Sequence, residues 1–458
     1  MSQVKAKRGV VVKMSPVVSS VVATAKGGLG LVEAFAQRFG LWSDCEALLP
    51  QRRDPSQGFT TTAVVSAQVH GLLSGGEGFG ATEALRGDEP LLRMLGLEAA
   101  PSAETVEEVV KYLGEHEDGQ SSTQRLMRRH VRGMVGREGR RRLLEEGFVF
   151  LWGDGSLLEV SGKNFEALKC IDKNWGQQVC AVFAGPYLVG LDFARQGEGE
   201  ETVVRRLMAP AVKEVLEPLK LRAKTLVLLD SLYGDEPTLR KLEDQKLLYV
   251  VGANKLEAVG QTLAEQPETV WRDTGENTSR GWSESGVCQV WLQCEDWASK
   301  RTLVGRRWKN TGEMIWNYAG VLTNLTPQHP VLAAKMEREK LFFEQALWSL
   351  YSRKQALENQ WKELLSDLGL HHPPSAKVAA NAIFYAVAAL AYNLAVGLRR
   401  LALEGEDRRM RLWRLRREFI DLAASVTRHA RRVILQLLDA RTRFVAKLQA
   451  ALLVVQRL

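Results

Sequence analysis

Two aspartates stand where side chains could leave the core of a sheet. Asp154 interrupts the strand-like stretch FVFLWGDGSLLEV and has a glycine on each side. Asp230 ends the apolar run 226–229, which is typical of a strand buried on both faces, and turn-forming residues follow at once. A single aspartate at such a place is most often a turn residue or a helix N-cap. Two of them on neighbouring strands could instead share one site.

Carboxylates that converge in space favour a divalent cation. Two carboxylates about 4 Å apart repel by roughly 4 kcal/mol at an effective dielectric of about 20. Either one of them stays protonated or a cation lies between them. Hard oxygen ligands favour Mg²⁺ or Mn²⁺. With a third acidic residue, the site could hold two ions for phosphoryl transfer, one at the attacking oxygen and one at the leaving oxygen.

A long helical stretch in the last third of the chain offers that third acid. Tyr351 and Lys354 precede Glu358 by two turns and by one turn, and Lys362 follows it by one turn. All four therefore share one helical face. A carboxylate among cations and a phenol suits a metal ligand beside a DNA phosphate backbone. An ordinary salt-bridged helix surface explains the same pattern, so periodicity alone leaves both interpretations open.

The elements that must position these residues lie between about 147 and 253. The stretches FVFLWGDGSLLEVSG, QVCAVFAG and YLVGLDFARQG read as strands, and a helix, a strand ending at Asp230, a second helix and the strand LLYVVGAN follow. This is the order of an RNase H-like mixed sheet, with the first three strands antiparallel and the rest parallel. It makes the strands of Asp154 and Asp230 neighbours.

The predicted fold is α/β, an RNase H-like mixed sheet core with a β-rich insertion, flanked by helical N- and C-terminal regions. Short alternating strands separated by Gly, Asn and Ser indicate the insertion, and helix returns over 336–370. The predicted parts are a helical N-terminal DNA-binding region (1–145), the first part of the catalytic core (146–255), the β-rich insertion (256–335), the second part of the core with the glutamate helix (336–400), and a basic helical C-terminal region (401–458).

The composition is that of a soluble protein and favours an anionic polymer as a binding partner. The formal net charge is +8 and the sequence pI is about 9.2, with arginine concentrated near the C-terminal end in RRMRLWRLRR. Five scattered cysteines predict free thiols in a reducing cytoplasm. The uncharged stretch 378–398 is long enough to span a bilayer, but its alanines and two asparagines favour a helix buried in a soluble core.

Several stretches together resemble the DDE transposases of bacterial insertion sequences, in the cut-and-paste group whose third acid lies in a Tyr-x2-Arg-x3-Glu-x6-Lys helix. The resemblance covers nearly the whole chain. The stretches that carry it are GDGSLLEVSGK, LVLLDSLYGDEPTLRKLEDQKLLYVVGAN, NYAGVLTNL and LYSRKQALENQWKELLSDLGLHHPPSAKVAANAIFYAVAALAYNL. It implies metal-dependent hydrolysis at the 3′ ends of the element, followed by strand transfer of the freed hydroxyl into target DNA.

Carried over to this chain, the resemblance implies a catalytic and metal-binding triad of Asp154, Asp230 and Glu358 with two Mg²⁺ or Mn²⁺ ions. Tyr351 matches the motif tyrosine. Lys354 stands where the family has arginine, so the charge is kept and the bidentate fork is lost. A leucine, at position 365, stands where the family has lysine, and Lys362 would have to replace that cation from the same helical face. Full activity therefore depends on whether Lys362 can act in its place.

The resemblance and the basic tail also suggest further DNA contacts. Tyr351, Lys354 and Lys362 would line the site, and arginines of the C-terminal tail, Arg411 and Arg414 among them, would meet phosphates from a helix with an apolar stripe on its other side. Family members often form a hairpin intermediate, which requires a flipped base on an aromatic platform. The candidate platform residues are Trp271, Trp282 and Trp291, although packing in the core of a small β domain is the more common explanation for tryptophans in such a stretch.

The expected partners are double-stranded DNA, both the terminal inverted repeats and the target, and a second copy of the chain in the DNA complex. No membrane partner is expected, and the expected location is the bacterial cytoplasm, at the nucleoid when bound to DNA. The alternatives are a two-metal nuclease that cuts without joining and an inactivated descendant that only binds DNA. A haloacid-dehalogenase-type phosphatase fits less well, because Ser156 stands where that motif needs a second aspartate.

Overall fold

The computed structural model of the protein describes residues 3–5, 11–13, 23–52, 58–162, 164–253, 257–275, 281–429, 432–438 and 442–458. The strands are β1 (Gln3–Lys5), β2 (Val11–Lys13), β3 (Ala23–Thr24), β4 (Val149–Glu159), β5 (Lys169–Ile171), β6 (Asn174–Ala184), β7 (Tyr187–Phe193), β8 (Thr225–Leu229), β9 (Leu248–Gly252), β10 (Arg272–Asp273), β11 (Trp282–Leu292), β12 (Arg301–Asn310), β13 (Asn317–Thr323), β14 (Ala424–His429) and β15 (Arg432–Leu437).

The helices are α1 (Leu29–Arg38), α2 (Leu41–Leu48), α3 (Thr61–Leu73), α4 (Glu89–Leu95), α5 (Ala103–Glu115), α6 (Gly119–Glu138), α7 (Arg140–Leu143), α8 (Glu200–Ala211), α9 (Glu236–Asp244), α10 (Glu257–Ala264), α11 (Pro330–Glu339), α12 (Phe343–Lys362), α13 (Val378–Ala402), α14 (Leu412–Leu415) and α15 (Thr442–Arg457). The helical stretch predicted over 336–370 is divided, because Lys340 adopts a left-handed conformation (φ 54°) that ends α11.

A mixed sheet of ten strands forms the centre of the protein. Its order is β10-β11-β12-β13-β9-β8-β4-β6, with β5 and β7 both pairing with β6. The strand β4 is antiparallel to β6 and parallel to β8, and β8 is parallel to β9. The predicted strand directions, and the predicted position of β4 next to β8, are therefore confirmed for the part of the chain that carries the two aspartates.

The β-rich stretch is part of this same sheet. The strand β13 pairs with β9, and Val321 lies opposite Gly252. The strands β12, β11 and β10 then follow outward from β13. The predicted insertion thus extends the central sheet directly, and its strands have a fixed register relative to the two aspartates.

The helix α13, which contains the uncharged stretch 378–398, is the core helix that its sequence suggests. It is the one described helix long and apolar enough to cross a membrane, yet 89% of its most apolar window is buried within the protein. The amide side chains of its two asparagines are fully buried and paired. Asn381 bonds with Ser375 and Gln177, and Asn393 bonds both the N–H and the C=O of Leu188 on β7. Burial within the protein, with both amides hydrogen-bonded, therefore explains the apolar sequence of α13 without a membrane.

Segments near the two ends of the chain pair with each other, and the C-terminal region contains two strands, whereas the sequence predicts a helical region. The strands β14 and β15 form a hairpin, and β3 near the N-terminus adds to its edge. The N–H groups of Gly27 and Gly28 also donate to the carbonyls of Leu422 and Ile420. The residues ASVTRH and RVILQL pair as antiparallel strands, where the sequence predicts helix.

Candidate active site

Register places the two aspartates side by side. In the parallel pair β4–β8, Trp152 lies opposite Leu228. Two residues further along each strand stand Asp154 and Asp230, at the same level of the sheet. Neighbouring strands are about 4.8 Å apart, so Asp154, in the middle of β4, lies close to Asp230, which directly follows β8. The prediction that the strands of Asp154 and Asp230 are neighbours is confirmed.

Asp230 has the local role that its sequence context suggests and also faces the other carboxylates. All five residues of β8 are buried, and the chain turns immediately after them. The Asp230 carboxylate accepts a hydrogen bond of 2.7 Å from the N–H of Ser231 and so caps the short 3-10 turn that follows. Half of its side chain remains exposed, at 52%. The turn-residue interpretation is therefore correct for this residue, and the exposed half of its side chain stays accessible to a ligand.

Lys354 joins the strand ends to the glutamate helix. Its ammonium is almost fully buried and lies 3.3 Å from Oδ2 of Asp230 and 3.8 Å from Oε1 of Glu358. These two carboxylate oxygens are therefore no more than about 7 Å apart. The Tyr351 hydroxyl donates to Asp230 at 3.5 Å from the same helical face. The face of α12 that carries Tyr351, Lys354 and Glu358 is thus turned toward the strand ends.

The two aspartates differ in their electrostatic surroundings. Burial raises the pKa of Asp154 to about 6; Lys354 opposes the shift, and Glu200 and Asp230 add to it. Burial alone would also raise the pKa of Asp230, but the Ser231 N–H, Lys354 and Tyr351 together bring it below its usual value. The surroundings therefore keep Asp230 ionised across the physiological range. The ionised form of the buried Asp154 carboxylate, in contrast, would be stabilised by a nearby cation.

The donor set suits Mg²⁺ or Mn²⁺, although Lys354 now lies among the donors. Among the described residues, no three His, Cys, Asp or Glu side chains lie close enough together to hold a metal ion as they stand. One ion spans roughly 4.2 Å at about 2.1 Å per bond, which is less than the upper bound of about 7 Å on the separation of these two oxygens of Asp230 and Glu358. They are within reach of two ions about 3.5–4 Å apart. The carboxylate donors suit divalent cations by their chemistry, and binding there requires the Lys354 ammonium to leave its place between Asp230 and Glu358.

A fourth carboxylate lies beside the site, and sequence reasoning did not identify it. Glu200 begins α8 and receives hydrogen bonds from Gln178 and from the buried Tyr233 hydroxyl. It packs so closely on β4 that a Cβ at Gly155 would come within 2.4 Å of its carboxyl group. The sequence offered one signal, a glycine directly after Asp154 that leaves room for this side chain.

The helix departs from the motif where its hydrogen bonding changes. A π-helical turn (Glu363–Asp367) follows α12 and turns Leu365 into the interior, where it is 7% exposed. The position of the motif lysine therefore faces the core in this chain. Lys362, one turn after Glu358, is exposed, and it has no ion pair with any residue that the structure describes.

The predicted contacts of the tail are held within the chain. Arg411 pairs with Asp367 at 2.8 Å and remains 51% exposed, whereas Arg414 pairs with Glu418 at 2.7 Å. Their helix, α14, has only four residues, and the chain continues into a π-helical turn. A long arginine-faced helix is therefore absent at this point of the described chain.

The three candidate platform tryptophans do not lie together. Trp271 is buried under the Arg307 guanidinium, 4.6 Å from its ring centre, and belongs to the packing of the sheet. Trp282 and Trp291 stand at opposite ends of β11, roughly 30 Å apart along the strand. Trp282 stacks on Trp308, while Trp291 is 58% exposed. No single base could stack on all three rings.

Comparison with known proteins identifies the family. The family model described as "Transposase DDE domain group 1" matches residues 194–456 of this protein, which is more than half of the chain. This range contains Asp230 and Glu358, while Asp154 precedes it. No curated protein matches the chain. Among solved structures, the chain is similar to the piggyBac transposase in a synaptic complex with hairpin DNA, at 13% identity and a TM-score of 0.39, covering 87% of this chain and 80% of that one. The chain belongs to the DDE transposase domain family.

Proposed function

We propose that the protein is a DNA transposase that hydrolyses phosphodiester bonds at the ends of its element and joins the freed 3′ hydroxyl to target DNA. The observation that carries this proposal is the placement of Asp154 beside Asp230, together with the Lys354 ammonium that joins Asp230 to Glu358. Asp154 lies within β4, Asp230 directly follows the neighbouring strand β8, and Glu358 lies on α12. Membership of the family supports the same class of reaction. The strand order β7-β6-β4-β8-β9 supports an RNase H-like core.

Asp154, Asp230 and Glu358 would hold two divalent cations, Mg²⁺ or Mn²⁺. Bound there, such ions would lower the pKa of an attacking water and neutralise charge on the scissile phosphate. The protein supplies the placement of the ligands. The Ser231 N–H and the Tyr351 hydroxyl fix the orientation of the Asp230 carboxylate.

Lys354 keeps the carboxylates together before DNA and cations arrive. Its buried ammonium offsets the repulsion between Asp230 and Glu358, which would otherwise push α12 away from the strand ends. Four methylene groups make its side chain long enough to leave the gap and to follow a phosphate group. We propose that Lys354, once it has moved, contacts phosphate groups at the site together with Tyr351 and the exposed Lys362.

The partners proposed are the terminal inverted repeats, the target DNA and a second copy of the chain within the DNA complex. The proposed location is the cytoplasm, at the nucleoid when the protein is bound to DNA. Arg411 and Arg414 remain candidates for outer phosphate contacts. Each would have to exchange its present carboxylate partner for a phosphate.

One observation favours a second candidate, a descendant that binds DNA with impaired chemistry. Leu365 is buried where the motif has a lysine, so the chain lacks that phosphate contact at that position. Lys362 is the residue that decides between the two candidates. If it supplies the missing contact, Lys362→Met lowers strand transfer while Lys362→Arg keeps it.

The reaction can be tested with purified protein, Mg²⁺ or Mn²⁺, supercoiled target and a labelled duplex taken from the inverted repeat that flanks the gene. Joined product is expected. Cleavage without joining would indicate a nuclease, and a shifted band without cleavage would indicate the impaired descendant. Loss of both cleavage and binding would refute the proposal altogether.

Matched carboxylate variants separate chemistry from binding. Asp230→Asn and Glu358→Gln should abolish cleavage and joining and keep the gel shift, because each removes a ligand without changing shape. Asp296→Asn and Glu337→Gln change exposed carboxylates away from the site and should keep full activity. Activity that survives Glu358→Gln would remove Glu358 from the proposed site.

A further inference from the structure

A cavity lined by arginines lies between α12 and α13. Its volume is about 510 Å³, within the roughly 300–1,000 Å³ of pockets that hold small molecules. The two helices and the 3-10 turn Gly405–Arg409 contribute most of its lining, and Phe150 of β4 adds to it. The arginines of this space, called the arginine cavity below, are Arg353, Arg399, Arg400, Arg408 and Arg409.

The arginine cavity has a surplus of positive charge. Two glutamates, Glu145 and Glu363, share its lining with the five arginines, which leaves a net charge of +3. Arg399 forms a buried pair with Glu363 at 2.6 Å, and Arg400 pairs with Glu138 at 2.6 Å. The pairs of Arg399 and Arg400 therefore belong to the packing of α13, and the surplus charge comes from the other arginines.

Two neighbouring guanidiniums lack acidic partners. Arg408 and Arg409 are exposed, and neither forms an ion pair with a residue that the structure describes. The Nε of Arg408 donates to the Leu403 carbonyl at 2.8 Å, and this bond anchors the guanidinium at the cavity. Like charges in one cavity repel each other, and an anion between them removes the repulsion. The planar arginine fork matches the oxygens of a phosphate group, so the pair favours a phosphorylated ligand.

The α12 wall of the cavity has hydrogen-bonding capacity that the chain itself leaves unused. The Oε1 atom of Gln360 is buried and has no hydrogen-bond partner among the described residues. Arg353 pairs with Glu145 at 3.4 Å and with Glu146 at 3.2 Å, longer than the roughly 2.7–2.9 Å of a strong charged hydrogen bond. Arg353 can therefore exchange these long contacts for shorter ones to a phosphate.

The remaining lining is aromatic or aliphatic. Phe150 and Tyr392 are almost fully buried, the Tyr392 hydroxyl donates to the Pro186 carbonyl at 3.4 Å, and Val396 also lines the cavity. An apolar surface beside guanidiniums suits a flat ring that carries a phosphate chain. A space of this volume holds one small molecule and is too small for a duplex.

The arginine cavity is separate from the carboxylate site but shares β4 and α12 with it. Phe150 precedes Asp154 by four residues on β4, about 13 Å along the strand. On α12, Asn359 lines the cavity and directly follows Glu358, and adjacent residues of a helix point about 100° apart. A ligand in the cavity would therefore hold the helix that carries Glu358 from a place outside the carboxylate site.

We infer that the arginine cavity binds a small molecule with two or more linked phosphate groups, of the class of a nucleoside diphosphate or inorganic pyrophosphate. The phosphates would lie among Arg353, Arg408 and Arg409. A base, where the ligand has one, would lie on Phe150 and Tyr392. This site goes beyond the proposed function, because it lies outside the three acids that cleavage and joining would use.

Isothermal titration calorimetry of the full chain in a chelating buffer tests the binding. ADP and pyrophosphate should bind, and adenosine, which has no phosphate, should not. Affinity for ADP about tenfold or more above that for pyrophosphate would show that the base is recognised as well, whereas equal affinities would assign the recognition to the phosphates alone. Absence of binding by both ADP and pyrophosphate at about 1 mM would overturn the inference.

Matched variants locate the ligand. Arg408→Gln/Arg409→Gln should weaken ADP binding by about tenfold or more for each arginine lost. The control is Arg240→Gln/Lys241→Gln, which removes the same charge from α9, outside the cavity, and should bind as the wild type does. Arg353→Gln tests the α12 wall independently and should also weaken binding by about tenfold or more, even if the first variant does not fold.

Hydrogen exchange adds a readout that does not depend on the variants. ADP should slow exchange at residues 353–363 and 405–409 and leave the N–H of Ser231, beside Asp230, unchanged. Protection at Ser231 instead, or equal ADP affinity in the wild type and both cavity variants, would overturn the inference. Weaker duplex binding by Arg408→Gln/Arg409→Gln, without ADP or pyrophosphate binding by the wild type, would assign these arginines to DNA and overturn it too. Each of these failures leaves the proposed function standing, because cleavage and joining are measured in a separate assay.

Discussion

Replacing Asp154 with asparagine should remove activity and stabilise the metal-free protein at the same time. Burial raises the pKa of this carboxyl group from its ordinary value of 3.8 to about 6. Each pKa unit corresponds to about 1.36 kcal/mol. The buried negative charge therefore costs about 3 kcal/mol at pH 8, and Asp154→Asn recovers it. With an unfolding entropy of roughly 1 kcal/mol/K for a chain of this length, the melting temperature should rise by about 3 °C.

The pH dependence has a definite sign. The pKa of Asp154 is higher in the folded than in the unfolded state, so the protonated side chain contributes favourably to the free energy of unfolding. This contribution is complete below about pH 4 and is lost as the pH rises through about 6. The difference in melting temperature between Asp154→Asn and the wild type should therefore be near zero at pH 4. It should grow between pH 4 and pH 6 and stay constant above pH 7.

Differential scanning calorimetry of both proteins in a chelating buffer measures this difference and cancels the titration of every shared group. Adding Mg²⁺ or Mn²⁺ should raise the melting temperature of the wild type and leave the variant unchanged, because only the wild type has the complete ligand set. A variant that is less stable than the wild type at pH 8, or a gap that does not depend on pH, would refute the assignment of Asp154 as a buried, uncompensated ligand.

Two further changes test the surroundings of the site. Gly252→Ala should lower the free energy of unfolding by about 1–3 kcal/mol and reduce cleavage, because the new methyl group would come within 2.6 Å of the Tyr351 hydroxyl. The control is Gly260→Ala, which has open space around it in α10 and should be neutral or stabilising by up to about 1 kcal/mol. Denaturant unfolding measures both, and equal effects would contradict the packing argument. Arg301→Ala should cost about 3–5 kcal/mol at pH 7, because it leaves the Glu243 carboxylate without its buried partner. Burial alone would raise the pKa of Glu243, but Arg301 and Tyr249 lower it. The destabilisation caused by Arg301→Ala should therefore become smaller as the pH falls toward about 4 and Glu243 becomes protonated. A destabilisation that does not depend on pH would instead result from lost packing.

The parts of the site that sequence could predict are those encoded by local pattern. An apolar run that ends at Asp230 predicts a strand end, and the strand order then makes Asp154 its neighbour. Glu358 needed more than periodicity, because a glutamate one turn after a lysine is also a common surface pair. The resemblance to the family selected it, and the structure turns its helical face toward Asp230.

What sequence missed depends on contacts between distant residues. Glu200 sits in an ordinary acidic helix start and becomes part of the site only because Tyr233 and Gln178 lie beside it. Leu365 is buried because hydrogen bonding changes to a π-helical turn after α12, which no local pattern announces. Likewise, the pairing of Val321 with Gly252 is non-local, and it converts a predicted separate insertion into a continuation of the central sheet.

The amide of Asn393 has a consequence for how the protein can assemble. It engages the outward N–H and C=O of Leu188 on β7, at one margin of the sheet, as a neighbouring strand would. At the same margin β5 is three residues long, and at the opposite margin β10 has only two, both charged. Strand addition from another polypeptide is thereby disfavoured on both sides. Oligomers should consequently not form by strand addition to the central sheet, and the solubility of the protein during folding should depend on α13 docking early against β7.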